Sequence, residues 1–220
     1  MAASLEETMR LASVAAIPVL FGITLHEVGH GWMARRYGDR TAEMLGRLSL
    51  NPARHIDPIG TIAVPLIMLY LGGFLFGWAK PVPITTRNLR KPGQAMIAIA
   101  AAGPAANFLM AFGWALSLHL AVALAGTFPV LSEYLVRMCS FGIFFNVLLA
   151  IFNLLPVPPL DGGRVLRGLL PESLGRHLDA IEPYGLILLV ALLAANALSF
   201  LGPLVRAVQD VVMSLAGLTS

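Results

Sequence analysis

Two histidines and a glutamate near the N-terminus have the side chains and the spacing that metal-assisted hydrolysis requires. They are His26, Glu27 and His30, in the sequence HEVGH. Histidines four residues apart project from the same face of a helix, so both imidazoles could bind one zinc ion. Zinc in such a site activates a water molecule and polarises a carbonyl, while Glu27 could accept the proton of that water and return it to a leaving nitrogen. The pattern therefore predicts peptide-bond hydrolysis.

A polar cluster at a helix end, satisfied by water at the membrane surface, is the simpler alternative to a metal site. The position of the cluster argues against this alternative. The three ionisable groups lie within five residues of one apolar run, and such groups at membrane depth usually line a cavity or carry out a function. The placement therefore favours a zinc site.

A catalytic zinc usually has three protein ligands and one open position, so a third ligand must come from elsewhere in the chain. The best candidate is Asp161, in the stretch NLLPVPPLDGG. The prolines of this stretch end an apolar helix, and its glycines allow close backbone approach. Irregular backbone of this kind at membrane depth requires a cavity or surrounding protein. A helix N-cap ahead of Arg164 is the alternative role for Asp161. Cys139 is the single cysteine, which excludes a cysteine-type zinc site.

The composition is that of a membrane protein. Of the 220 residues, 57% are hydrophobic and 12% are charged, whereas about half and about a quarter are typical of soluble domains. A helix needs about 20 apolar residues to cross the hydrocarbon core, so we expect about four to six membrane segments. We predict an all-α membrane protein, a multi-pass helical bundle in the lipid bilayer. The apolar runs are Leu11–Trp32, Ile59–Trp78, Ala95–Ala125, Phe141–Leu155 with its flanks, and Tyr184–Leu201.

The chain is expected to form one integral-membrane domain over residues 1–220, because no repeat and no linker divides it. Its core would span residues 11–170, with C-terminal helices over residues 184–218. The net charge of +3 comes from short basic loops without interleaved aromatic residues, so no nucleic-acid partner is expected. Glu6 and Glu7 stand where a signal peptide would be positive, so we expect no cleavage there.

Basic loops follow both of the first two apolar runs, although consecutive spans should place their loops on opposite sides of the membrane. The positive-inside rule favours the cytoplasm for both loops. The run Ile59–Trp78 then becomes a re-entrant or interfacial hairpin bent at its glycines, and the N-terminus lies outside. A full crossing by this run is the simpler alternative. The basic residues are Arg35, Arg36, Arg40, Arg47, Arg54, Lys80, Arg87, Arg90 and Lys91.

Two smaller elements are predicted beside the apolar runs. Residues Thr41–Leu50 partly alternate polar and apolar side chains, which indicates a short strand and hence a small β-element after the first helix. After Leu201, apolar residues recur at helical spacing opposite Arg206, Gln209 and Asp210. This pattern is typical of an amphipathic helix lying on the membrane.

Three motifs occur along the chain in a fixed order. They are His26-Glu27-x-x-His30, Gly103-Pro104-x-x-Asn107, and Asn153-x-x-Pro156 leading to Leu160-Asp161-Gly162. With these motifs the chain resembles the site-2 protease family of intramembrane zinc metalloproteases, peptidase family M50, from Leu11 to Leu170. The stretches Asn51-Pro52, His55-x-Asp57-Pro58 and Trp78-x-Lys80-Pro81 further resemble the compact bacterial and archaeal members that lack a PDZ domain.

The resemblance implies roles for the motif residues. His26, His30 and Asp161 would bind one zinc ion, and Glu27 would be the general base. By contrast, His55 lies in a proline-bounded turn with Asp57, and we expect that pair to shape the loop rather than to bind metal.

The resemblance also implies that Asn107 and Asn153 lie near the site. Their side-chain amides could hold the substrate backbone or the developing oxyanion. Hydrogen bonding between helices, a common use of Asn in membranes, is the equal alternative.

The sequence thus predicts a zinc metalloendopeptidase that cuts peptide bonds within or near transmembrane segments. Its expected partners are transmembrane-helix or signal-peptide-like protein substrates. The expected location is the cell membrane of a prokaryote, with the active site towards the cytoplasmic side. The alternative is a metal or proton transporter that uses the same histidine and carboxylate cluster. Glu27 separates the two, because Glu27→Gln should abolish turnover by a protease while zinc stays bound.

Overall fold

The computed structural model describes residues 5–63 and 80–218. Within these ranges all regular elements are helical, as the all-α prediction requires. The α-helices are α1 (Leu5–Arg36), α2 (Thr41–Met44), α3 (Pro92–Ala123), α4 (Pro129–Asn153), α5 (Asp161–Leu169), α6 (Glu172–Ile181), α7 (Gly185–Ala194) and α8 (Leu201–Leu215). Short 3-10 or π turns are Pro52–Arg54, Pro58–Ala63, Thr86–Asn88 and Glu182–Tyr184.

Three of the described helices are long and apolar enough to cross a membrane: Met9–Arg36 of α1, and all of α3 and α4. α1 and α3 run antiparallel, because Gly22 lies beside Asn107 and His30 beside Ile99. The end of α1 and the start of α3 therefore lie at the same end of the bundle.

Buried polar side chains hold the loop between α1 and α3 at that end. Asp39 is fully buried and accepts hydrogen bonds from the backbone of Thr85 and the side chain of Asn88. Arg47 donates to the carbonyl of Lys80 at 2.7 Å. Both basic loops thus lie at one end of the bundle, the arrangement that the charge pattern predicts.

The run Ile59–Trp78 lies mostly outside the described residues. On either side of it, the backbone N–H of Lys80 donates to the carbonyl of His55 at 2.9 Å. The described residues that flank the run therefore lie together at one end of the bundle. The re-entrant hairpin itself stays a prediction.

The strand predicted over Thr41–Leu50 is wrong. Its first residues form α2, and turns and bends follow. Asp39 accepts a hydrogen bond from the backbone N–H of Thr41, and Gly46 has a φ of 64°, a left-handed conformation that interrupts extended backbone. No partner strand exists within residues 5–63 or 80–218 to stabilise the extended form.

The main apolar core lies where α3, α4 and α8 meet. α4 returns antiparallel to α3, since Ser132 donates to the carbonyl of Ala121 and Gly142 packs against the ring of Trp114 further along. Small residues let these helices approach closely. Buried core residues are Ala111, Ala115, Leu118, Ala121, Cys139, Ile143, Val147, Leu201, Val205 and Val212.

The span predicted over Tyr184–Leu201 is also wrong. α7 has only 10 residues, about 15 Å of helix against about 30 Å of hydrocarbon core. Asn196 has a φ of 54°, and a left-handed residue of this kind ends a helix. The amphipathic helix expected after Leu201 is present as α8, which buries Val205 against the bundle. Its contact with a membrane surface stays a prediction.

Candidate zinc site

Three buried side chains bring their donor atoms together in one small triangle. His26 and His30 project from α1, one turn apart, and Asp161 is the first residue of α5. The Nε2 atoms of the two histidines are 3.1 Å apart. Oδ2 of Asp161 lies 3.2 Å from Nε2 of His26 and 3.3 Å from Nε2 of His30. Asp161 follows His26 by 135 positions in the sequence, and the fold brings the two side chains together.

The other ring nitrogen of each histidine faces an acceptor. Nδ1 of His26 lies 2.6 Å from Oδ1 of Asn107, and Nδ1 of His30 lies 2.7 Å from the carbonyl oxygen of Ile99. These acceptors require the hydrogen on Nδ1, so both Nε2 atoms turn lone pairs towards each other and towards Asp161. Three electron-rich atoms facing one another repel unless a cation lies between them.

The triangle fits a zinc ion. Oδ2 of Asp161 is buried and has no hydrogen-bond donor among the described residues. Tetrahedral zinc with bonds of about 2.0–2.2 Å separates its nitrogen and oxygen ligands by about 3.3 Å, which matches the separations of 3.1 to 3.3 Å here. Two imidazoles and one carboxylate also leave a fourth position open, as in catalytic zinc sites.

Asn107 is positioned to orient His26. Its side chain is fully buried, and its Nδ2 donates to the carbonyl of Gly22 and to Oδ1 of Asn146, each at 3.0 Å. These two bonds fix the direction of the amide, so that Oδ1 faces the imidazole. The hydrogen-bonding alternative for Asn107 accounts for all of these contacts; a contact with substrate stays a prediction.

The close approach of α1 and α3 at the histidines depends on glycine. A Cβ at residue 103 would overlap the ring of His30 and lie 2.7 Å from Cε1 of His26. A Cβ at Gly29 would lie 2.8 Å from the carbonyl oxygen of Ala102. Residues without side chains at these points therefore let the imidazoles fit between the helices.

Asp161 is held in place by a second close backbone approach. A Cβ at Gly162 would collide with the carbonyl groups of Leu154 and Leu155, just after α4. A Cβ at Gly163 would lie 2.7 Å from the backbone nitrogen of Pro158. The start of α5 thus packs directly on the chain that leaves α4, which brings Asp161 to the histidines.

Glu27 shares the site but is not part of the donor triangle. Its Oε2 accepts a hydrogen bond of 2.8 Å from the backbone N–H of Val82. The nearby carbonyls of Lys80 and Pro81 in turn accept from the buried Arg47. The segment from Lys80 to Val82 therefore holds the carboxylate that the sequence predicts to be the general base.

A cavity of about 170 Å³ opens beside these groups. Asn153 lines it, as expected from the sequence, with one amide hydrogen donated to the carbonyl of Leu149. Arg164 and the extended segment around Val82 also line it, and sequence reasoning had assigned them no role. The described lining residues are His26, Glu27, His30, Pro81, Val82, Ile84, Asn153, Pro159, Asp161 and Arg164.

His55 and Asp57 lie in the loop and outside the donor triangle. Nε2 of His55 lies 2.9 Å from the carbonyl oxygen of Ser49, and Oδ1 of Asp57 accepts from the backbone of Ile59 and Gly60. These contacts agree with a role in shaping the loop.

Comparison with known proteins identifies the family. The model of peptidase family M50 matches residues 14–131 and 121–195. YwhC of Bacillus subtilis, described as a candidate zinc metalloprotease, is 35% identical over 209 residues, which cover 94% of this chain and 92% of YwhC. Rip2 of Mycolicibacterium smegmatis, with the same description, is 31% identical over 82% of this chain and 66% of Rip2.

A more distant similarity extends to a larger protein. RseP of Escherichia coli, the regulator of sigma-E protease, is 37% identical over 54% of this chain and 27% of RseP. No solved structure matches the chain significantly. Both the family match and the extent of the similarity to YwhC agree with the motifs around His26, Asn107 and Asp161. This chain therefore belongs to peptidase family M50, the site-2 protease-like zinc metalloproteases.

Proposed function

We propose that this protein is an intramembrane zinc endopeptidase that cuts membrane proteins within or near their transmembrane segments. The observation that carries the proposal is the donor triangle of His26, His30 and Asp161, buried between helices that are long enough to span a membrane. Glu27 opens on the same cavity. Membrane-depth ionisable groups arranged around a cavity are a signature of function.

A zinc ion bound by the three donors would supply Lewis acidity to a water molecule and to the scissile carbonyl. The residues of the chain account for the movement of protons. Glu27 accepts a proton from the water molecule. At the same time the oxygen of that water bonds to the carbonyl carbon, and the π electron pair of the carbonyl moves to the carbonyl oxygen. When the C–N bond breaks, Glu27 returns that proton to the nitrogen. The products are a carboxylic acid and an amine.

The backbone hydrogen bonds of a helical substrate limit where it can be cut. An intact helix keeps its carbonyls hydrogen-bonded and so shields them from attack. The scissile segment must therefore unwind, and substrates with Gly, Pro or Asn near the cut should be preferred, because these residues weaken a helix.

The basic loops support a cytoplasmic position for the site. His26 and His30 lie in the half of α1 that ends at Arg35 and Arg36, and positive charge concentrates on the cytoplasmic side of membrane proteins. We propose that water reaches the site from the cytoplasm of a prokaryotic cell and that substrate enters from the bilayer.

The test is cleavage of a panel of transmembrane peptides by the detergent-purified protein, with products identified by mass spectrometry. Wild type should cut and Glu27→Gln should not, with close to one zinc ion in each. Cutting by Glu27→Gln would contradict the assignment of the base. Zinc-dependent ion uptake into vesicles by wild type, without cleavage of any peptide, would instead support the transporter.

A further inference from the structure

One charged side chain that lines the cavity has no role in the mechanism proposed above. Arg164 is the only cationic side chain among the described residues that line the cavity beside Glu27 and the three donors. We propose that Arg164 binds the carbonyl oxygen of the scissile bond as that oxygen gains negative charge. This proposal rests on the proposed proteolytic function and adds a catalytic residue to it.

The backbone of Arg164 is fixed relative to the donors. It follows Asp161 by three residues in α5, so the two side chains project from neighbouring positions on one helix face. The start of that helix packs on the chain after α4 through Gly162 and Gly163. Placement of Asp161 at the histidines therefore also places Arg164 at the cavity.

The guanidinium of Arg164 is free to bind a ligand, whereas that of Arg167 is held in ion pairs. Arg167, one turn further along α5, pairs with Asp179 at 2.7 Å and with Glu172 at 3.2 Å. Arg164 is exposed and has no ion pair or side-chain hydrogen bond with any residue in the described ranges 5–63 and 80–218. Its donors are free to turn towards a ligand in the cavity.

The other polar donors considered at the cavity are either bonded within the protein or uncharged. The backbone N–H of Val82 is bonded to Glu27, and both amide hydrogens of Asn107 are bonded to Gly22 and Asn146. Asn153 has one amide hydrogen committed to a backbone carbonyl. Among the described lining residues, Arg164 alone offers a full positive charge, and charge-assisted hydrogen bonds are roughly twice as strong as neutral ones.

The interaction should strengthen during reaction. The carbonyl oxygen is neutral in the bound substrate and anionic once water has added to the carbon, so Arg164 would lower the barrier more than it improves binding. Loss of one oxyanion donor typically lowers kcat by about 10²–10³-fold. We expect this loss in kcat for Arg164→Gln, with little change in KM and with zinc content and thermal stability retained.

The experiment compares Arg164→Gln, Arg164→Lys and the matched control Arg167→Gln in the full-length protein. Readouts are kcat, KM, zinc content and the affinity for a peptide phosphinate, an anionic mimic of the tetrahedral state. Arg164→Gln should lose kcat and phosphinate affinity together, Arg164→Lys should recover part of both, and Arg167→Gln should cut at a rate close to wild type. If Arg164→Gln unfolds, Arg164→Lys is compared with wild type instead. A weaker phosphinate affinity of Arg164→Lys would support the role of Arg164, and an unchanged affinity would contradict it.

Two outcomes would overturn the role of Arg164. One is equal loss in Arg164→Gln and Arg167→Gln, which would indicate a shared structural effect. The other is a change confined to KM, or none, with unaltered phosphinate binding. Either leaves the proposed function intact, provided that wild type cuts and Glu27→Gln does not. Failure of wild type itself to cut or to bind the phosphinate would instead refute the proposed function.

Discussion

Gly103 of α3 lies directly against the imidazole of His30, with no room for a side chain between them. The same glycine faces His26, whose Cε1 would lie 2.7 Å from a Cβ at this point. His26 and His30 thus fit between the helices because residue 103 of α3 has no side chain.

Replacement of Gly103 by Ala should therefore displace both imidazoles and abolish zinc binding and cleavage. The control is Gly113→Ala in the same helix, where a Cβ would meet no atom of the described residues within 4 Å. That change should leave activity intact and stabilise the helix slightly, since Ala is favoured over Gly by about 1 kcal/mol. Zinc content by atomic emission and thermal unfolding measure both effects. Full zinc in Gly103→Ala would contradict the packing at this crossing.

Removal of the hydrogen bond between Asn107 and His26 should weaken zinc binding. Loss of such an outer partner typically costs about 10–100-fold in metal affinity, and we expect a loss of this size for Asn107→Ala, measured by competition with a chelator. Asn146→Ala should have a smaller effect, because Asn146 acts on His26 through the amide of Asn107. Equal affinities of Asn107→Ala and wild type would show that His26 needs no orienting partner.

Asp39, in the loop after α1, should make the folding stability of the protein depend on pH in the acidic range. Burial opposes ionisation, but hydrogen bonds from Thr41, Asn88 and Thr85 outweigh it and lower the pKa of Asp39. The stabilisation is therefore complete above the ordinary Asp pKa of about 3.9 and disappears as the pH falls through the lower folded-state pKa.

Asp39→Asn should remove that acid dependence and lower stability at neutral pH by about 1–3 kcal/mol, the usual cost of lost hydrogen bonds to a charged group. Thermal unfolding over a pH series checks both. The exposed Asp210 on α8 provides the control, since Asp210→Asn should unfold like wild type. Parallel pH profiles for wild type and Asp39→Asn would refute a stabilising role for the carboxylate.

The sequence was informative where function follows from spacing within one element. His26 and His30 are four residues apart and so share a helix face. A catalytic zinc usually needs a third protein ligand, and Asp161 was the best candidate in the sequence. The contact between Asn107 and His26 joins two helices 81 positions apart. Spacing within either helix carries no information on how the helices are aligned, so sequence reasoning left two roles open for Asn107.

The incorrect predictions arose where composition and conformation diverge. Tyr184–Leu201 contains no charged residue, yet Asn196 adopts a left-handed conformation that composition does not report. Arg164 was assigned no role from the sequence, although it lies three residues after a predicted ligand. That spacing was the available signal, because it puts Arg164 beside Asp161 on the surface of one helix.

X-ray absorption at the zinc K-edge tests the central claim most directly. The zinc-loaded wild type should show only nitrogen and oxygen neighbours at about 2.0–2.2 Å, with multiple scattering from two imidazoles, and Glu27→Gln should give the same spectrum. A sulfur shell at about 2.3 Å, or fewer than two imidazoles, would contradict a site made of His26, His30 and Asp161.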